Sequence, residues 1–160
     1  MAWLDFALPC LYSFLACVGF CIVYDLRGKV LVLAPLGGSI GWLVYLCTAF
    51  TGNDIAQYFL ATVAVAVYAE IMARLDKAPV TVYLIVALIP MVPGGGIYYT
   101  MEQCILGNME EFARMGAHTF GIAGALALGI LLVSAFTKLL HSFRLRLRRE
   151  EERRPKEGAK

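Results

Sequence analysis

Apolar residues fall along this chain in five long blocks separated by short polar turns. The blocks cover residues 6–24, 30–50, 55–73, 79–101 and 117–140. Each is close to the roughly 20 residues that a helix needs to cross the hydrocarbon core of a bilayer. The first two are parted by Asp25-Leu26-Arg27-Gly28-Lys29, the second and third by Thr51-Gly52-Asn53-Asp54. Residues 102–116 mix polar and apolar positions and predict a short interfacial helix. From 141 to 160 the chain is arginine-rich with acidic patches, a basic tail predicted to continue the last helix into water and then fray. The pattern therefore predicts an all-α integral membrane protein. Its five transmembrane helices occupy 1–140, and there is no soluble domain.

The fourth block carries its own interruption, Ile89-Pro90-Met91-Val92-Pro93-Gly94-Gly95-Gly96. Each proline removes a backbone donor and clashes with the preceding turn. Each glycine loosens the backbone and lets other groups approach it. This helix is therefore predicted to be broken. Broken backbone at membrane depth survives only inside protein or beside a polar cavity. In transporters, discontinuous helices of this kind form substrate sites. One alternative is a simple kink with packing glycines. On the pathway reading, the half-helix starting after Gly94 exposes free N–H groups and a positive dipole end that suit a carboxylate. The half ending near Pro90 offers free carbonyls to an ammonium or a cation. Tyr98, Tyr99 and Thr100 follow at once, with hydroxyls placed to reach a solute.

Basic residues give a direction to the bundle. Alternate connections carry Arg27 and Lys29, then Arg74 and Lys77, then nine residues from Lys138 onward. The second connection has none, and the fourth has only Arg114, beside Glu102, Glu110 and Glu111. Cytoplasmic loops are the basic ones. This predicts a multi-pass protein of the cell (plasma) membrane with the N-terminus outside and the C-terminus cytoplasmic. Composition agrees: 60% of residues are hydrophobic and 16% charged, where soluble domains run nearer a quarter charged. The basic tail is a topology signal rather than a nucleic-acid site. Because Asp5 is the only charge before the first span, the N-terminus lacks the basic start of a secretion signal and reads as an uncleaved helix.

Candidate chemistry is sparse. The cysteines at 10, 17, 21, 47 and 104 have no nearby His or carboxylate set, so they predict small apolar packing and no metal. His118 and His141 are scattered and pair with no nucleophile, which argues against an enzyme. No cofactor motif is present. Glu70 lies in the third span with Arg74 four residues on, the favourable order for a helix pair. It is either a boundary ion pair or, as an intramembrane carboxylate, a proton-coupling candidate. His118 is an interfacial residue or a proton-sensitive gate. Trp42, Tyr98 and Tyr99 also suit interfacial anchoring.

Small residues mark where helices meet, because association in lipid depends on close approach. Gly37 and Gly41 have GxxxG spacing in the second span, and Ser39 between them offers a hydroxyl to a cavity. Ala117, Gly121, Ala125 and Gly129 recur every fourth residue in the fifth. These faces serve internal packing or an interface with a partner.

The segment Ala87-Leu88-Ile89-Pro90-Met91-Val92-Pro93-Gly94, followed by Ile97-Tyr98-Tyr99-Thr100-Met101, resembles the threonine/serine exporter family. Specifically it is similar to the short type that corresponds to the C-terminal half. Leu36-Gly37-Gly38-Ser39-Ile40-Gly41 and the five spans fit the same resemblance, which covers about 6–140; the arginine-rich tail does not match it. The resemblance implies export of threonine and serine driven by the proton gradient, with succinate or other dicarboxylates handled by some relatives. It implies that Pro90, Pro93, Gly94 and Gly95 belong to a pathway element. It also implies a longer membrane subunit of the same family as partner. A homo-oligomer is the alternative.

An odd number of spans gives that partnership a physical reason. Two five-helix halves in tandem have opposite orientations, the inverted-repeat plan of many secondary transporters. One half holds half a pathway. The expected function is thus a half-subunit of a proton-coupled exporter of small amino acids. The site would be drawn from Ser39, Pro90, Pro93, Gly94, Gly95, Gly96, Tyr98, Tyr99 and Thr100, with Glu70 as proton carrier. The alternatives are a dicarboxylate exporter, a self-sufficient oligomeric channel, and a non-transporting membrane assembly subunit.

Overall fold

The computed structural model describes Ala2–Arg153, all of it helices and short turns. Six helices follow in order: α1 Ala2–Val23, α2 Val30–Cys47, α3 Asp54–Asp76, α4 Val80–Leu88, α5 Gly94–Ile105 and α6 Met109–Arg153. Single 3-10 turns, Ala49–Thr51 and Ile89–Met91, follow α2 and α4. Four of the described helices are long and apolar enough to cross a membrane, and α4 with α5, bent by 48° at their break, brings the number to five where the pair is taken as one span. The chain is a multi-pass α-helical membrane protein.

Local chemistry sets the helix ends. Asn53 caps α3 by accepting the Ile55 N–H at 3.1 Å. Lys77 closes α3 in the left-handed region (φ 54°), and the Ala78 N–H returns to Ala73 O at 3.0 Å before Pro79 bars any continuation. Gly107 (φ 76°) makes the tight turn from α5 into α6. The separate interfacial helix predicted for 102–116 does not form. Instead α5 runs on to Ile105 and α6 starts at Met109. Nothing in α6 breaks a helix, and Glu110 and Glu111 suit the positive end of its dipole. One unbroken helix of 45 residues thus covers the fifth predicted span and the start of the tail. The expected fraying over 154–160 lies outside the described residues.

Helix α2 is central and packs on α1, α3 and α4, while α3 also packs on α6. The contacts are close because the facing residues are small. A Cβ on Gly37 would lie 2.9 Å from the Ala87 Cβ, and one on Gly41 would lie 2.5 Å from Val65 Cγ2. Along α6, a Cβ on Gly121 would sit 2.8 Å from Ile55 Cδ1, and one on Gly129 3.0 Å from Thr62. Ala125 is buried between them, whereas Ala117 is exposed. This register sets Gly121 beside the second residue of α3. The start of α6, before His118 reaches Asp54, therefore runs past the end of α3, and α5 packs on α6. The bundle's two ends differ accordingly: one holds the basic turns at 24–29 and 77–79, the other holds the α5–α6 hairpin.

Candidate substrate pathway at the α4–α5 break

Pro90 has no N–H to give Val86 O, which α4 would otherwise bond four residues on. The Ile89 N–H bonds that carbonyl instead, and the Cys17 thiol of α1 also donates to it at 3.2 Å. Met91 is fully buried beside Gly41, whose missing Cβ would lie 3.1 Å from the Met91 Sδ. Val92 is extended, and the Gly94 N–H turns back to Val92 O at 2.7 Å. The ladder of α5 starts with the Ile97 N–H to Pro93 O at 3.1 Å. Ahead of it, Gly95 and Gly96 have no backbone acceptor among the described residues.

The residues singled out from sequence divide around this break. A Cβ on Gly94 would meet nothing within 4 Å, and one on Gly95 would meet only Tyr99 of its own helix, at 3.9 Å. These two glycines face open space. Gly96 instead presses on α6, where a Cβ would lie 2.6 Å from Thr119 Oγ1. Tyr98 and Tyr99 are exposed and meet edge to face at 5.3 Å. Thr100 is buried against Gly116, and its hydroxyl donates to Gly96 O at 2.7 Å, so it is not free for a solute. Ser39 is elsewhere. Its hydroxyl donates to Cys10 O at 3.1 Å in an apolar groove between α1 and α2, whose lining includes nothing from α4 or α5. Glu70 lies further along α3 toward the basic turns, with its Oε2 3.5 Å from Arg74 Nη2. Neither Ser39 nor Glu70 joins the break.

Two cavities flank α5. One, of about 460 Å³, is an apolar groove running from Val92 and Pro93 to Phe120 and Leu126. The other, of about 370 Å³, is lined by Gly96, Tyr99, Arg114, Met115, His118 and Thr119. Arg114 donates through Nε and Nη2 to one oxygen of Glu111, at 2.9 and 2.7 Å. His118 Nε2 lies 2.9 Å from Asp54 Oδ2 and ties α6 to the start of α3.

Other polar residues escaped the sequence reading. At the basic-turn end, the fully buried Tyr83 donates to Asp76 Oδ2 at 2.6 Å, and Lys29 Nζ stands 3.9 Å from the same carboxylate. Hydroxyl and carboxylate are seven residues apart across a turn. No spacing rule for one helix reveals that pairing. Cys17, which its sequence neighbours place in apolar packing, also donates to Val86 O, a partner that nothing in its neighbourhood announces. Among the described residues the cysteines are free, and no group of three or more His, Cys, Asp or Glu is placed to hold a metal.

No curated protein and no solved structure matches the chain. A family model does: residues 9–136 match the one described as Threonine/Serine exporter, ThrE. The match extends from α1 through the broken pair and well into α6, so it takes in the packed bundle and the break together. The chain belongs to the threonine/serine exporter family.

Proposed function

We infer that this chain is half of a secondary transporter that exports threonine and serine at the expense of the proton gradient. The observation that carries the reading is the α4–α5 break, where Gly94 and Gly95 face open space beside N–H groups with no backbone acceptor. Such a half-helix start attracts a carboxylate, as in other transporters with discontinuous helices. The basic turns and tail support a cytoplasmic C-terminus and an outer N-terminus in the plasma membrane. The α5–α6 hairpin then sits at the outer end. Domain limits of 1–140 for the spans and 141–160 for the tail follow from the same reading.

Alternating access needs a second unit to rock against the first. A longer subunit of the same family fills that role best, and a second copy is the alternative. Glu70 is the proton carrier in this scheme, because its side chain is only 19% exposed within a long apolar helix. The reading assigns the chain no catalytic chemistry and no cofactor.

The test is efflux of labelled threonine from preloaded native cells, with and without the gene and an uncoupler. Loss of uncoupler-sensitive efflux on deletion, restored by wild type and not by Glu70→Gln, is expected. Unchanged threonine and serine efflux on deletion would refute the reading. Succinate efflux lost instead would move the assignment to a dicarboxylate exporter. Normal transport of all three would favour an assembly subunit.

A further inference from the structure

We propose that the apolar groove between α5 and α6 is the docking surface for a helix of a different membrane chain, apolar where it lies in the groove and carrying Lys or Arg beside the tip of the α5–α6 hairpin. The inference goes beyond the exporter reading and does not depend on which solute is carried.

Helix α6 is longer than the bundle it belongs to. Its apolar stretch, Met109–Leu140, has 32 residues, about 48 Å of helix against a hydrocarbon core of roughly 30 Å. The excess lies at one end. His118 meets Asp54 at the start of α3, and Gly121 and Gly129 pack on Ile55 and Thr62 further along it. Met109–Ala117 therefore stands past α3, about 14 Å of helix. Helix α5 lies against this part, with Gly96 on Thr119 and Gly116 on Thr100. No proline interrupts α6, so the hairpin keeps the direction of the span and does not fold flat onto the bilayer surface.

The groove follows the same line. Its volume is about 460 Å³, and it reaches from Leu126 to Phe112 in the projecting part. That is about 21 Å, or roughly four turns of a docked helix. Lipid tails can cover the half level with α3. The half around Phe112, Gly116 and Met101 lies beyond the hydrocarbon and is apolar all the same. Phe120 on the groove is 81% exposed, and Ile105 at the hairpin tip is 86% exposed. Bare apolar surface outside lipid marks contact with another protein. Thr100, Gly116, Thr119 and Ala123 line the groove and are small enough for a helix to come close.

Charge selects the occupant. Glu102 and Glu110 are exposed, one on each helix of the hairpin, and neither is in an ion pair among the described residues. Glu111 is paired with Arg114, the single Lys or Arg between Lys77 and Lys138. A second copy in the same orientation would bring the same acids to this level and be repelled. A different chain with basic residues there neutralises them. In the proposed orientation this is the outer end, where membrane proteins carry few basic residues, so the requirement is selective.

The test places p-benzoylphenylalanine at Met101 or Ala123 of the full chain in native cells and irradiates intact membranes. Leu128, exposed on α6 outside the groove, is the control position. Both groove positions are expected to give an adduct with one other membrane chain, mapped by mass spectrometry to a helix with Lys or Arg close to the crosslink. Glu102→Lys with Glu110→Lys should lower that adduct by at least about tenfold. Changing the mapped basic residues to Glu should restore it, which separates docking from misfolding. Ala123→Trp fills the groove and should abolish the Met101 adduct. The proposal is overturned by a second copy as the crosslinked partner, by lipid adducts alone, or by a partner helix without basic residues. Equal adducts at Leu128, or adducts indifferent to Glu102 and Glu110, overturn it as well.

Discussion

Gly38 offers the sharpest check on the helix packing. A Cβ added there would lie 2.5 Å from Cys17 Sγ, 3.3 Å from Ser13 Oγ and 3.5 Å from Ala87 O. Relaxed non-bonded contacts sit near 3.5–4.0 Å, so the first overlap is about 1 Å. Cys17 cannot swing aside freely, because it is fully buried and its thiol is bonded to Val86 O. Overpacking of this kind costs about 1–3 kcal/mol. Alanine also improves the helix over glycine by roughly 0.5–1 kcal/mol, so the net loss for Gly38→Ala is about 0–2.5 kcal/mol. Gly124 in α6 is the control, since a Cβ there meets no atom within 4 Å. Gly124→Ala should keep the helix gain alone, a stabilisation of about 0.5–1 kcal/mol. Subtracting one from the other cancels the propensity and leaves the overlap. Unfolding in mixed micelles, followed by the fluorescence of Trp42 on the same helix as Gly38, measures both. Cys17→Ala should relieve the overlap, so the double variant is expected to be more stable than the sum of the single changes implies. Equal stability of Gly38→Ala and Gly124→Ala, with no coupling to Cys17, would mean that α1, α2 and α4 do not meet this closely.

Three further outcomes follow from other parts of the bundle. Tyr83→Phe removes a 2.6 Å bond to a carboxylate and should lower stability by about 1.5–3 kcal/mol in the same unfolding assay; no change would show that Asp76 is satisfied without it. Gly95→Leu has room for its side chain, so it should accumulate and purify like wild type while threonine efflux falls by an order of magnitude or more; normal efflux would take the pathway away from the break. An impermeant maleimide added to intact cells should label the exposed Cys47, at the end of α2 away from the basic turns, and Cys47→Ser should lose that label. Labelling only after permeabilisation would invert the proposed orientation.

The architecture was readable where apolar runs and backbone chemistry act locally. Two prolines within four residues force the interruption wherever the rest of the chain goes, and the 48° bend appears at that point. The length of α6 was not readable in the same way. A hydropathy window reports where a helix can be buried, and residues 102–116 are too mixed to qualify. Helix continuity depends instead on the absence of breakers, so after the turn at Gly107 α6 runs from Met109 through the rest of the polar stretch without pause. The site was legible only in part. Gly94 and Gly95 are open because of their own backbone, but Gly96 and Thr100 are taken up by α6. Ser39 shares a helix with Gly37 and Gly41 yet points to α1, because its neighbours on that turn already carry the contacts with α3 and α4. The His118–Asp54 contact joins residues 64 apart, a distance over which no periodicity speaks.

The interruption also reaches residues that sequence alone leaves unconnected. Pro90 strips Val86 O of its ordinary donor four residues on and leaves it the Ile89 N–H three residues on, and in lipid an under-satisfied carbonyl is costly. A thiol from α1 meets part of that need, and a thiol is small enough to be fully buried there. For Cys17 to reach Val86, α1 must come close to α4 across the face of α2, and at that crossing α2 has Gly38. The glycine pair Gly37-Gly38 thus has two duties: Gly37 admits Ala87 and Tyr68, and Gly38 admits the cysteine that serves the break. A proline at 90, a cysteine at 17 and a glycine at 38 form one device. Exchanging Pro90 for Ala should therefore weaken the demand for Cys17. If the cost of Cys17→Ala is no smaller with Pro90→Ala than with Pro90, the thiol is there for packing and the chain of dependence fails.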